Sequence, residues 1–466
     1  MNKDILSGLL PDRFNISFSI LIVLLLLGIN LIAIQFLSFN IIYVLTALAV
    51  LFLFSFNIKL ILLLTVLNIF VPYILQIHSS VIVSLFLLLS VLLNYSEFET
   101  KKYKNPIILS LIIFVFAAVV SLVNSHIDLY VLMDFFNLIA FVLIVFTIPK
   151  IVSEEKEMQK LFLIFVLAVF FHSIIVIFNG LTFGGRTFGL LGVFYIDLAG
   201  LAFLYSVIFL LYAKRNIKYL HAILSLTILI GLILTQTRNA WLSTVVGLAF
   251  LLVVLLFNSK KFLINKRIII FSSIILFLTA TVFVSYITSS ADIDVSRRLD
   301  TKTNDVKLSE NPASVGENSF VSRLFIWHTA VNAFMKEPVL GIGMYSFKKT
   351  SNKYYTIPKP FFKQYVENKT PHVAYLEILV ETGIVGFILF LFFLFSVHRN
   401  LFQMMKSRID EKNVITTLVI FVSIIYITFS MLMTEAWVYG QYLVWFGIII
   451  GLLVSKIQQV EHNQTL

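Results

Sequence analysis

The chain has 466 residues, 59% of them hydrophobic and only 13% charged, about half the charged share of a soluble domain. Its mean hydropathy of +0.98 excludes an ordinary soluble domain, and repeated charge-free runs of about 20 residues point to helical membrane spans. The net charge of +11 does not imply nucleic acid, because in a membrane protein the placement of charge matters more than its sum; with no cysteine, disulfides, thiolate nucleophiles and Cys-ligated metals are excluded.

From the N-terminus, MNKDILSGLLPDRFN leads into an apolar run without a small-residue cleavage site, which reads as a retained first span. Apolar runs and polar breaks predict spans near 16–36, 40–56, 58–76, 79–94, 106–124, 129–148, 160–178, 190–213, 217–235, 240–257, 268–288, 374–397, 414–433 and 437–455. The expected fold is all-α, a polytopic membrane protein of about 12–14 transmembrane helices with one long extracytoplasmic loop. It divides into N-terminal helices (1–178), core helices (179–288), the long loop (289–373) and C-terminal helices (374–466). With a cytoplasmic N-terminus, 21 of the 35 Lys and Arg fall in cytoplasmic segments, 12 in the long loop and two in the short outer loops. Short loops decide orientation, so both termini are expected in the cytoplasm.

The two exceptions are Arg186, in FNGLTFGGRTFGLLG, and Arg238, in TQTRNAWLST. An outer arginine can simply snorkel to headgroups. Two that stand alone against so strong a bias point instead to function, and the guanidinium fork suits an anionic phosphate ligand. Between them, Asp197 in YIDLAG lies within a span, where a carboxylate is costly and usually purposeful; Arg186 and Arg238 are its candidate partners. Asp128 and Glu435 read as solvated loop acids, and His172 and His221 as packed or interfacial.

The long loop opens with a polar strip, 289–319, whose Asp292 and Asp294 form a D-x-D pair. In such a strip these read as surface acids, and no metal is expected. In SFVSRLFIWHTAVNAFMKEP, Val321, Leu324, Trp327, Val331 and Phe334 recur at helical spacing before Pro338. That predicts an amphipathic helix along the outer interface, with Arg323 and His328 beside the Trp. PVLGIGMYSF then supplies two glycines for a tight turn, and His372 stands at the mouth of the next span, ahead of Glu377 and Glu381.

These pieces together resemble the bacterial O-antigen ligase and O-antigen polymerase family, integral membrane glycosyltransferases. TRNAW (237–241), RLFIW (323–327) with PVLGIG (338–343), and HVAYLEILVETGIVG (372–386) carry the resemblance, with GGRTFGLLG (184–192) as the arginine–glycine loop upstream. It covers roughly 180–390. The family pattern has Asn after the His where this chain has Val373. The resemblance implies a helical architecture of the GT-C kind at the outer face of the bacterial cytoplasmic membrane. It also implies transfer of a glycan from a polyprenyl (undecaprenyl) diphosphate carrier to a hydroxyl on a glycan or lipid-core acceptor, in surface polysaccharide or lipopolysaccharide assembly. Arg186, Arg238 and Arg323 would hold the diphosphate, His372 would act as base, and Glu381 and Asp197 would support, with no cofactor or metal. The bilayer and other polysaccharide-assembly proteins are the further partners expected. Ligase and polymerase need the same groups and stay undivided here. A polytopic transporter or flippase of lipid-linked sugars is the alternative; it would call for paired halves with broken helices at the midplane, and no internal repeat is found.

Overall fold

The computed structural model describes residues 105–258, 319–406, 413–434 and 440–465, with breaks at 126, 153, 184–186 and 188–193 and with positions 89 and 262 standing alone. The first four expected spans apart from Leu89, the span at 268–288, Arg186, the D-x-D pair and Glu435 lie outside the described residues.

The described residues form helices and no strand. In order they are α1 (Pro106–Ser121), α2 (Leu129–Ile151), α3 (Glu155–Phe183), α4 (Phe194–Tyr212), α5 (Arg215–Leu234) and α6 (Arg238–Phe257). The second half holds α7 (Ser319–Lys336), α8 (Phe347–Thr350), α9 (Lys359–Tyr365), α10 (Ala374–Lys406), α11 (Val414–Ser430) and α12 (Gly440–Thr465). Eight of these contain stretches long and apolar enough to cross a membrane, so the chain is a polytopic integral membrane protein. Each falls where an apolar run predicted a span. α11 has 17 residues, the short end of what hydrocarbon requires, and it is buried on nearly every side as the central post of the bundle.

Helix starts follow local capping chemistry. Asn105 accepts the Ile107 N–H at 2.9 Å, with Pro106 in the first helical position. Asp128 accepts the Val131 N–H at 2.9 Å and lies 3.9 Å from Lys349. It is therefore a helix cap with a basic neighbour rather than a solvated loop acid.

Packing inside the bundle relies on small residues and satisfied polar groups. α12 lies along α2 through Gly447 and Gly451: a Cβ at Gly451 would sit 2.6 Å from the Ile148 Cβ, and one at Gly447 3.1 Å from the Phe141 carbonyl oxygen. This four-residue glycine spacing is the usual device for close helix approach in lipid, where the hydrophobic effect no longer drives helices together. At mid-bundle the Trp445 indole N–H donates to the Tyr205 hydroxyl at 3.1 Å, and that hydroxyl shares a 2.6 Å bond with Ser423. His172 bonds the Ala168 carbonyl at 3.0 Å and His221 stacks on Phe209, so both are packed as expected.

The described part of the long loop folds into a small helical unit with its own core. Ile326, Ala330 and Ala333 of α7 pack with Ile342, Phe347, Phe361, Phe362, Tyr365 and Val366, and with Val380 of α10. Phe334 of the expected stripe is partly buried against this core. Leu324 and Val331 are 45% and 48% exposed, while the buried stripe is Ile326–Ala330–Ala333. The hydrophobic periodicity favoured the bulkier side chains, but close packing on the loop favours the alanines, which let backbone and aromatic rings approach.

Candidate active site

The loop after α7 is spliced into a break in α10. At Gly383 the backbone turns to φ 66, ψ −172, a conformation open essentially to glycine alone. The break frees four backbone groups, and each finds a partner in PVLGIG. Ile342 and Gly343 N–H donate to the Val380 and Glu381 carbonyls at 3.1 and 3.0 Å, while Ile384 and Val385 N–H donate to Pro338 and Val339 at 2.8 and 3.4 Å. Backbone meets backbone so closely that a Cβ at Gly341 would lie 2.4 Å from the Glu381 carbonyl oxygen. Non-helical backbone within a spanning helix survives only when its polar groups are satisfied by protein in this way.

Glu381 belongs to the same splice. Its two carboxylate oxygens accept the Tyr345 N–H at 2.7 Å and the Phe347 N–H at 3.0 Å, at the start of α8. The carboxylate thus braces the loop. The end of α1 docks there too: Asn124 donates to the Gly341 carbonyl at 2.9 Å, and Ser125 and Ser346 share a 2.6 Å bond.

A four-residue turn, Met431–Thr434, follows α11 and gathers the remaining candidates. The Ala374 N–H, at the start of α10 and two residues after His372, donates to both the Met431 and Thr434 carbonyls at 3.0 Å. Tyr375 adds a bond to the Thr428 carbonyl at 3.0 Å. Asn239, in the first turn of α6 beside Arg238, donates to the Met433 carbonyl at 2.6 Å. Asp197, buried in the first turn of α4, accepts from Ser430 at 3.2 Å, and Ser430 bonds Thr434 at 3.2 Å. The starts of α4, α6 and α10 therefore meet at one end of the bundle. Asp197 thus has this serine as a donor, with Tyr426 and Tyr442 close enough to feel its charge.

α7 touches the same neighbourhood. The Trp327 indole N–H donates to the Pro371 carbonyl at 2.9 Å, next to His372. Arg323 stands one helical turn before Trp327, a spacing that puts both on one face. His372 itself holds a left-handed backbone at φ 56. Arg238 is exposed at the first position of α6.

Asp134 of α2 adds a carboxylate beside the splice. Tyr345, with φ 60 and an inward-facing side chain, has its phenol pushed well above the ordinary value by burial and by the carboxylates of Asp134, Glu381 and Glu377 around it. The available signal was a carboxylate on an apolar span, the same one that singled out Asp197. Asn239 lies inside TRNAW, where the charge of the neighbouring Arg238 is the stronger signal.

Such a molecule is an integral membrane protein in which the starts of α4, α6 and α10 meet around one turn at one end of the bundle. Residues 222–391 match the family model described as O-antigen ligase, a stretch that runs from within α5 to the first part of α10. A 101-residue stretch is 32% identical to a candidate polysaccharide ligase of Rickettsia conorii, covering 20% of this chain and 22% of that protein. The three motif pieces TRNAW, RLFIW with PVLGIG, and HVAYLEILVETG lie inside the matched region. Asp197 and the Met431–Thr434 turn lie outside it.

Proposed function

We propose that the protein transfers a glycan from a polyprenyl diphosphate carrier to an acceptor hydroxyl at the outer face of the bacterial cytoplasmic membrane, as a polysaccharide ligase or repeat-unit polymerase. The observation that carries this reading is the shared anchor of two helix starts: Arg238 and His372 each lie within two residues of a bond to Met431–Thr434. The acceptor oxygen attacks the anomeric carbon, its proton passes to the His372 imidazole, and the bond to the diphosphate breaks with its electron pair leaving on the carrier. An imidazole ordinarily exchanges protons near neutral pH, as such a base must. The diphosphate gains charge as it leaves, and guanidinium groups already in place stabilise that charge. Arg238 supplies one, Arg323 a second from α7, and Arg186 a third. Glu381 supports the reading through the splice, as the brace of the loop that follows α7. Asp197 supports it as an anchor of the turn.

The test is complementation of a deletion strain with Arg238→Ala and His372→Ala, with membrane abundance checked and surface glycan length read on a gel. Both variants are expected in the membrane with surface polysaccharide abolished. A surface lipid carrying one repeat marks a lost polymerase, and long chains left on the carrier mark a lost ligase. Full complementation by both variants would sink the transferase reading in favour of a transporter.

A further inference from the structure

The Met431–Thr434 turn has no counterpart among the motifs, yet it is the most heavily bonded point between the helix starts of the site. Its own geometry is fixed from below. Met431, Leu432, Met433 and Thr434 N–H donate to the Ile427, Phe429, Ser430 and Ser430 carbonyls at 2.9–3.0 Å. This is the C-terminal end of a helix, where the last carbonyls lack intrahelical partners and stay open to other donors. Two of them take the Ala374 N–H, itself one of the orphan donors at a helix start. The third, Met433, takes the Asn239 carboxamide.

We infer that Asn239 is a positioning residue for the proposed transfer: its bond to the Met433 carbonyl fixes the start of α6, with Arg238, to the same turn that fixes the start of α10, with His372. This rests on the roles proposed above for those two side chains. The bond is not needed to hold α6 in the bundle, since that helix packs against α4 and α11 along its length, and its core side chains Ala240, Leu248, Leu251 and Leu255 are buried. What the bond adds is order in the first turn. Helix ends fray when untied. Thr237 makes no capping bond to α6; its hydroxyl donates back to the Thr235 carbonyl at 3.0 Å. The Trp241 indole, which donates to the Leu232 carbonyl at 3.0 Å, ties this turn to α5 and not to the turn that holds the start of α10. With Asn239 untied, the long arginine arm can still meet a diphosphate in the ground state. Alignment of that charge with the base across the anomeric carbon is what loosens, and an error near 1 Å there costs about a hundredfold in rate.

The test uses purified full-length protein, with lipid-linked glycan extracted from the deletion strain as donor probe and inorganic pyrophosphate as competitor. Asn239→Asp keeps the shape but turns the donor into an acceptor facing a carbonyl oxygen; Asn239→Gln keeps a donor. Asn239→Asp is expected to lower kcat about ten- to a hundredfold while the donor KM and the pyrophosphate inhibition constant stay within about twofold. Asn239→Gln is expected to recover much of the loss. A wild-type kcat in Asn239→Asp, or a defect confined to KM, overturns the inference. If the Asp variant does not accumulate, Asn239→Ala decides by the same two readings. These outcomes are separable from failure of the transferase reading, which would appear as full complementation by Arg238→Ala and His372→Ala and as wild-type protein that leaves the extracted donor untouched.

Discussion

Trp327 donates its indole N–H to the Pro371 carbonyl at 2.9 Å, and the next residue, His372, stands at φ 56. A left-handed non-glycine backbone costs about 1–2 kcal/mol, and such strain lasts only where neighbouring bonds over-determine it. Here the Trp327 bond holds one side and the Ala374 N–H, bonded to Met431 and Thr434, holds the other. Trp327→Phe keeps an aromatic ring, though a smaller one, and removes the donor, leaving the buried Pro371 carbonyl without it. The expected loss is about 1 kcal/mol of stability, read as a lower melting temperature in detergent. Glycan transfer should fall by more than the folded fraction does, because the histidine loop gains freedom. Equal losses in the two would mean that Trp327 serves folding alone. Glu381 makes the complementary point. Expected as a supporting carboxylate, it meets the Tyr345 and Phe347 N–H groups. No sequence spacing encodes which way a helix face points when the helix is broken two residues later.

At the level of elements, the glycines of PVLGIG and ETGIVG are one device. Gly383 takes φ 66, ψ −172, and a Cβ there would lie 2.2 Å from the Val339 carbonyl oxygen. Gly383→Ala therefore meets both a forbidden backbone and a backbone clash, and should cost about 3 kcal/mol. Limited proteolysis within 338–347 checks this, since release of the splice exposes the loop, while the apolar bundle beneath should resist digestion. A loop as resistant as in the wild type would show that α10 can straighten without cost. The contrast between elements explains what could be read in advance. α1 to α6 and α10 to α12 were legible because a span is announced by length and apolarity, which need no knowledge of neighbours. The buried face of α7 was not legible, because Ile326, Ala330 and Ala333 are chosen by what packs on them, namely Phe361, Phe362 and Tyr365 from 28 to 39 residues away in sequence. Likewise Arg238 and His372 could be named from the chain, but the Met431–Thr434 turn that both helix starts share contains no charged residue and nothing else to mark it.

Across the whole molecule, α11 links two polar knots, with the Ser423–Tyr205 bond between them. One is the Met431–Thr434 turn. At the other end Lys456 of α12 pairs with Glu155 of α3 and donates to Asn413, just before α11, at 3.1 Å. Thr416 bonds Glu155, and Ser455 reaches the Val152 carbonyl at 3.0 Å. Lys456 and Glu155 are only 4% and 15% exposed in their side chains, so neither charge is well solvated. Lys456→Met strands the carboxylate with its remaining donors and should destabilise the protein by about 3 kcal/mol, whereas adding Glu155→Gln should recover most of that loss. Melting of the two variants in detergent checks the pair: a double variant no more stable than the single would mean that Lys456 acts through packing of its stem. The length of α11 then separates stability from function. Its 17 residues put about 25 Å between the two knots, and the turn at the far end is held by its own hydrogen bonds. The folded fraction of Lys456→Met should therefore transfer glycan at the wild-type rate. A folded but slow variant would show instead that the ion pair sets the height of α11, and through it the register between Arg238 and His372.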